Sequence, residues 1–156
     1  MSNDIFIKIN GIEGESKDAK HKNEIDVSSW RWSMSQHANM HGGGGGGAGK
    51  ASVTDLRFDH AIDRASPNLM KYCLTGKHID QAVLVMRKAG GNALEHVKIT
   101  MSDVIISSVT MDGASDSETV SLSFAKVKQE YMVQNEQGGS GGAVTASFNV
   151  KENKEA

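Results

Sequence analysis

The chain reads as a mainly β domain, a closed antiparallel β-barrel with one short flanking α-helix near residues 67–75. Three observations predict it. Apolar residues recur with period two along most of the 156 residues, as in half-buried strands. That alternation repeatedly changes parity, and a one-residue bulge at each change would keep both halves of a strand on the core while curling the sheet towards closure. Helix start, face and stop signals agree in one stretch only, from Asp63 to Gly76.

Taken in order, Ile5, Ile7 and Ile9 alternate with Phe6, Lys8 and Asn10 and predict the first strand. Residues 11–23 carry Glu13, Glu15, Lys17, Asp18, Lys20 and Lys22 and read as a solvated loop. In the next strand Ile25 and Val27 are apolar at odd positions, whereas Trp30, Trp32 and Met34 are apolar at even ones. Parity therefore flips at Ser28-Ser29. Similar flips separate Val53 from Leu56 and Phe58, and Val120, Leu122 and Phe124 from Val127, Tyr131 and Val133. The strand from His78 to Lys88 is partly apolar on both faces, as is the run Val104-Ile105-Ile106. Both need a cover on each side, from the helix, a second sheet or a neighbouring subunit. Val144, Ala146, Phe148 and Val150 make the last strand, and residues 151–156 a polar tail. The length suits a single domain, 1–156.

In the helix, Ser66 is read as the N-cap and Pro67 as the first helical residue, where its missing N–H is harmless. Leu69, Met70, Cys73 and Leu74 form one apolar stripe. Gly76 ends the helix because it can turn left-handed without a Cβ penalty. Helices below roughly 12 residues are marginal in water, so this stripe must dock on the sheet.

Composition narrows the function. Seventeen Lys and Arg against nineteen Asp and Glu give a net charge of −2, without the basic field that a phosphate-backbone partner requires. Cys73 is the single cysteine and reads as a small core side chain. Asp4 and Lys8 interrupt the apolar run that a signal peptide needs, and no apolar segment approaches 18 residues. The expectation is a protein with no membrane insertion, cytoplasmic when made and exported, if at all, without a cleaved leader.

Several stretches imitate functional motifs. Gly44, Gly49 and Lys50 match a P-loop until Ala51 replaces the Ser or Thr that would meet Mg²⁺, and a strand pattern follows where a helix should begin. The run is better read as a long excursion within loop 36–51. His37 and His41 lack a third ligand at metal spacing, and Asp112, Asp116 and Glu118 miss the EF-hand pattern. No Gly-x-Ser-x-Gly elbow is present. No catalytic residue, cofactor or metal is expected.

The segments Phe6-Ile7-Lys8-Ile9, Gly14-Glu15-Ser16 with His21, Ile25 to Trp32, Asp63 to Gly76, Asp103 to Val109 and Glu118 to Tyr131 together resemble the haemolysin-coregulated protein (Hcp) family, tube subunits of bacterial type VI secretion systems. Order and spacing carry the resemblance rather than one motif, and it covers nearly the whole chain. It implies a barrel of two antiparallel sheets, assembled as homohexameric rings that stack into a hollow tube. A contractile sheath drives that tube outward, and effectors ride in its lumen. By the same resemblance the partners are further copies of the chain, effectors, sheath and spike proteins. The loop residues His41, Gly42, Gly43, Gly44, Gly45, Gly46, Gly47, Ala48, Gly49 and Lys50 would then touch an adjoining subunit or ring. Ser29, Arg31 and Ser33, opposite the tryptophan face, would line the lumen, where six-fold symmetry turns Arg31 into a ring of charge. Two other readings stay open: a nucleotide-binding protein using Gly44 to Lys50, and a monomeric barrel holding a small ligand among Trp30, Trp32, Phe58 and Phe124.

Overall fold

The computed structural model describes residues 3–37, 50–90 and 93–156. In chain order these form β1 (Asn3–Ile9), β2 (Ile25–Val27), β3 (Ser29–Arg31), β4 (Met34–Gln36), β5 (Ala51–Val53), β6 (Leu56–Ala61), α1 (Ser66–Thr75), β7 (Ile79–Lys88), β8 (Glu95–Asp112), β9 (Ser117–Gln134), β10 (Ser140–Asn149) and β11 (Lys154–Glu155). All pairings among the described residues are antiparallel. The fold is mainly β with one helix, as expected.

The 18-residue strands β8 and β9 serve two halves of the sheet. In one half, Ile9, Ala82, Met101, Val127 and Phe148 lie opposite one another in a single row across β1, β7, β8, β9 and β10. In the other, Leu56, Leu122 and Ile106 form a row across β6, β9 and β8. Core residues on β8 are odd up to Met101 and even at Val104 and Ile106, with Val109 packing on the core beyond the register shift, and on β9 they are even up to Phe124 and odd at Val127. Both strands change faces between the same partners, so the ladder keeps its register from Met101–Val127 to Val104–Phe124, and it shifts by one residue only further on, between Ile106 and Ser108. On β8 the change falls at Asp103, whose backbone is left-handed at φ 52°, a conformation that Asp tolerates better than β-branched residues. The parity flip read between Phe124 and Val127 is this switch.

The other flips have different structures. At Ser28 the chain leaves β1 for β6, donating its backbone N–H and its hydroxyl to Asp59 O at 2.8 and 2.9 Å. A change of partner thus replaces the expected bulge. The flip after Val53 is a strand break, because β5 pairs only with β4 in a separate two-stranded ribbon. No ladder joins β2 to β3, which Ser28 links covalently, so the expected closed barrel is not present as an unbroken ring of strand pairs among the described residues. The tail read as merely polar contains β11, paired with Phe148 and Asn149.

The loop after β1 is not solvated throughout. Ile12, Ser16 and His21 are buried in it. A Cβ on Gly14 would come within 2.6 Å of Glu24 O and 2.8 Å of Ile25 Cα, so the loop lies directly on β2. Its far end covers the second face of β1 and β7. The His21 ring stacks on Phe6 with centroids 4.4 Å apart, and Arg87 lies over the other part of that patch, bonded to Asp18. The outer apolar face of β1 and β7 is therefore covered from within the chain.

Helix α1 departs from its expected orientation. Ala65 is the N-cap, with no side-chain cap bond, and Ser66 is the first helical residue. Asp63 does the capping, accepting the Ala65 N–H at 2.8 Å through Oδ1. Leu69 is buried and Tyr72 and Cys73 pack partly on the core, whereas Met70 is 52% and Leu74 78% exposed. The expected stripe is thus rotated by about one residue. The physical reason is polar: the Ser66 hydroxyl donates to the buried Glu118 at 2.7 Å and fixes which side of the helix meets the sheet. The C-terminus is as expected, with Gly76 at φ 63° and the N–H groups of Gly76 and Lys77 on the carbonyls of Cys73 and Tyr72.

The face switch yields a direct test. Asp103→Gly should keep or raise the midpoint of denaturant unfolding, while Asp103→Val should cost about 1–2 kcal/mol, because a β-branched residue is strained at positive φ.

Candidate functional site

Register decides what the outer face presents. Ser29, Asp59, Thr119 and Thr110 lie in one row across β3, β6, β9 and β8, and Arg31, Arg57, Ser121 and Ser108 in the next. These rows occupy the side opposite the one formed by Trp30, Phe58, Val120 and Val109, since successive strand residues alternate. Hydroxyls and short polar groups dominate. Ser29 donates to Asp59 Oδ2 at 2.8 Å, and Thr119 donates to Asp59 Oδ1. The Thr119 hydroxyl, then that of Ser29, holds the Asp59 carboxyl below its ordinary pKa. Ser107 donates to Asp55 Oδ2 at 2.5 Å.

Ser29, Arg31 and Ser33 are all exposed, and Trp30 and Trp32 are partly buried against the core. Arg31 and Arg57 face each other across β3 and β6, and neither guanidinium has a carboxylate at ion-pair distance among the described residues. Both line an open groove of about 300 Å³ with Trp32, Ser33, Thr54 and Asp55. Trp32 Nε1 donates to Thr54 O at 3.0 Å, tying the tryptophan edge to the groove wall.

Beside this face the β4–β5 ribbon leaves the main sheet. Met34 pairs with Val53 and Gln36 with Ala51. Met34 is 57% exposed, so it belongs to the ribbon and not, as the alternation predicted, to the core face of Trp30 and Trp32. An apolar groove of about 400 Å³ lies at the ribbon's base, between Trp32, Met34, Val53, Val127 and Phe148. Lys50 is exposed and leads directly into β5, a strand rather than a helix start. His41, Gly42, Gly43, Gly44, Gly45, Gly46, Gly47, Ala48 and Gly49 lie outside the described residues. Among those described, no group of three His, Cys, Asp or Glu could hold a metal ion, and no helix is long and apolar enough to cross a membrane.

Residues 6–131 match the sequence model of a family described as "Type VI secretion system effector, Hcp". The chain belongs to the Hcp family. It is 51% identical to protein hcp1 of Pseudomonas aeruginosa over 162 residues, covering 100% of both chains. Its fold is similar to the crystal structure of Hcp1 from Salmonella typhimurium, with TM-score 0.82, 56% identity and 100% of each chain covered. A type VI secretion system effector from Yersinia pestis is also similar, with TM-score 0.78, 44% identity, and 94% of this chain and 100% of that one covered. The Hcp family is one of type VI tube and effector proteins, and the mainly β fold accords with it.

Two buried polar clusters in this Hcp chain escaped the sequence reading. One is His60, Glu118 and Ser66 under α1. The other joins the loop of residues 11–24 to β1, β7 and β8. Here Arg87 donates to Asp18 at 2.6 and 3.2 Å and to Asp4 at 3.0 Å, while His21 lies 3.0 Å from Glu24 and 2.6 Å from Glu95. A signal existed for the first cluster, since His60 extends the even row Leu56-Phe58 and Glu118 extends Val120-Leu122-Phe124. None existed for the second, whose members are far apart in sequence.

The guanidinium of Arg87 holds the Asp18 carboxyl down, from an ordinary 3.8 to about 2. A depressed carboxyl contributes stability above its unfolded pKa and loses it as pH falls through the folded value. Asp18→Asn should therefore unfold at lower denaturant than the parent at neutral pH, and the gap should close between about pH 4 and 2, as read by tryptophan fluorescence.

Proposed function

We propose that this chain is a structural tube subunit, with no chemistry of its own, whose copies close head to tail into six-membered rings that stack as a hollow tube. Segment 25–31, passing from β1 to β6 at Ser28, completes the barrel wall of each subunit in this reading. The loop from His41 to Lys50, carried outward by the β4–β5 ribbon, touches an adjoining subunit or ring. Heterologous contact of one surface with a different surface of the next copy closes into a ring when the rotation permits.

The observation that carries the proposal is the outer face of β3, β6, β9 and β8. A strand face of Ser and Thr crossed by Arg31 and Arg57 is polar and built of short side chains, with Ser29, Arg31 and Ser108 exposed and Ser121 buried. It suits the wall of a water-filled channel, with Ser29, Arg31 and Ser33 facing the lumen and effector proteins as its cargo. Sheath and spike proteins complete the partner set by family membership, and sheath contraction drives the export.

Native mass spectrometry of the purified chain should give six times the 16.7 kDa subunit mass, and negative-stain images should show six-fold annuli. A monomer at all micromolar concentrations ends the proposal. Replacing residues 37–50 by a two-residue turn should leave the β-rich circular dichroism spectrum unchanged and shift the mass towards smaller species.

A further inference from the structure

The most deeply buried ionisable pair among the described residues lies under α1. The side chains of His60 on β6 and Glu118 on β9 are both inaccessible to solvent. His60 Nε2 is 2.8 Å from Glu118 Oε1, and the Ser66 hydroxyl donates to the same oxygen at 2.7 Å. Ser66 is the first residue of α1, and its Oγ also accepts the backbone N–H of Asp63 at 3.1 Å. Two strands and the start of the helix thus converge on one carboxylate oxygen. The remaining polar atoms of the pair, His60 Nδ1 and Glu118 Oε2, are buried without hydrogen-bond partners among the described residues.

We propose that His60, Glu118 and Ser66 form a proton-gated latch: the first turn of α1 is locked to the sheet while His60 carries its proton, and loosens when that proton is lost. A charged imidazole satisfies the buried carboxylate, whereas a neutral one leaves a buried anion short of compensation. Opening the first turn of α1 admits water to that anion. The helix offers little resistance of its own, because ten residues are marginal alone and only Leu69 of its apolar side chains is fully buried.

The charged surroundings leave the imidazole as the switching group. From the loop before α1, Asp63 Oδ2 lies 3.7 Å from His60 Nδ1. From β6, Asp59 is on the other face, held by Ser29 and Thr119. Arg64 is engaged by Glu13 and Glu15, and Phe58 contributes only its ring, tilted with centroids 5.6 Å apart. Helix α1 supplies the Ser66 hydroxyl, its Lys71, Tyr72 and Cys73 lying more than a turn further on. Burial pushes the His60 pKa down, but the Asp63 and Glu118 carboxylates outweigh it and hold it above the ordinary 6.5. A raised imidazole contributes its full stability below the unfolded pKa and loses it as pH rises through the folded one. The latch therefore closes on the acid side and opens on the alkaline side.

The latch is built from residues of one chain and is testable on the full chain in its native assembly. Amide hydrogen exchange, corrected for intrinsic rates, should show protection of residues 66–76 falling as pH rises above 6.5, by up to about tenfold for each pH unit over which His60 keeps its proton beyond that point, with β8 unaffected. In His60→Gln the protection of α1 should be independent of pH. A flat wild-type profile, or the same step in His60→Gln, overturns the latch. Should that variant not fold, nitrogen NMR of the His60 imidazole in the unmodified chain decides. Titration above 6.5 in step with α1 opening supports the latch, and an imidazole already neutral at about pH 5 overturns it.

Discussion

The fold depends on one constraint: β8 and β9 must bury residues of opposite parity on the two sides of Asp103 while keeping their register across that change of face. A one-residue slip would carry every later side chain to the wrong face. The chain avoids the slip by turning both strands over together between Met101–Val127 and Val104–Phe124, with Asp103 in the left-handed region. One half then builds a core row with β1 and β7, the other with β6, and both rows meet in the same cluster. The positions of α1, of the ribbon and of the hydroxyl-rich face all follow. Each attaches to a strand whose inward parity this switch has set.

Apolar burial sets the rows, but buried polar pairs set how the covering segments sit on them. Loop 11–24 is too polar to stay on β1 and β7 by burial alone. Arg87 and His21 hold it there through Asp18, Asp4, Glu24 and Glu95. Helix α1 has a wider apolar stripe than it uses, and the bond from Ser66 to Glu118 chooses between the possible rotations. Such pairs contribute specificity more than net stability, since removing one partner strands the other while replacing both by apolar groups can be neutral. The exposed pairs Arg64–Glu13 and Lys154–Glu152 carry no comparable weight.

The legible parts of the sequence were those fixed by local periodicity. The strands, the helix and its stop at Gly76, and the exposure of Ser29, Arg31 and Ser33 opposite the tryptophans follow from spacing two and spacing 3.6. What periodicity could not supply was partner choice. The flip at Ser28 looks the same in sequence whether it is a bulge or a handover from β1 to β6, because both restore the apolar side to the core. Met70 and Leu74 were misplaced because helical spacing defines a stripe about 100° wide and leaves the rotation within it undetermined. The loop was misjudged for a related reason: its Lys and Glu at exposed positions hide Ile12, Ser16 and His21 between them.

The hydroxyl-rich face has to be explained by something other than folding. Arg31 and Arg57 are direct cross-strand neighbours, and like charges so placed destabilise a ladder. The inward neighbours of the same strands, Trp30 and Phe58, pair favourably and give the ladder its strength. One row away the single charge, Asp59, is instead satisfied by the hydroxyls of Ser29 and Thr119. Neither guanidinium has a carboxylate at ion-pair distance among the described residues, although the charge of Arg31 helps, after the Thr119 and Ser29 hydroxyls, to hold the nearby Asp59 carboxyl down. In the ring proposed above the same residues would repeat around an axis, where the short side chains would keep the bore open and the guanidinium groups would meet whatever passes through it.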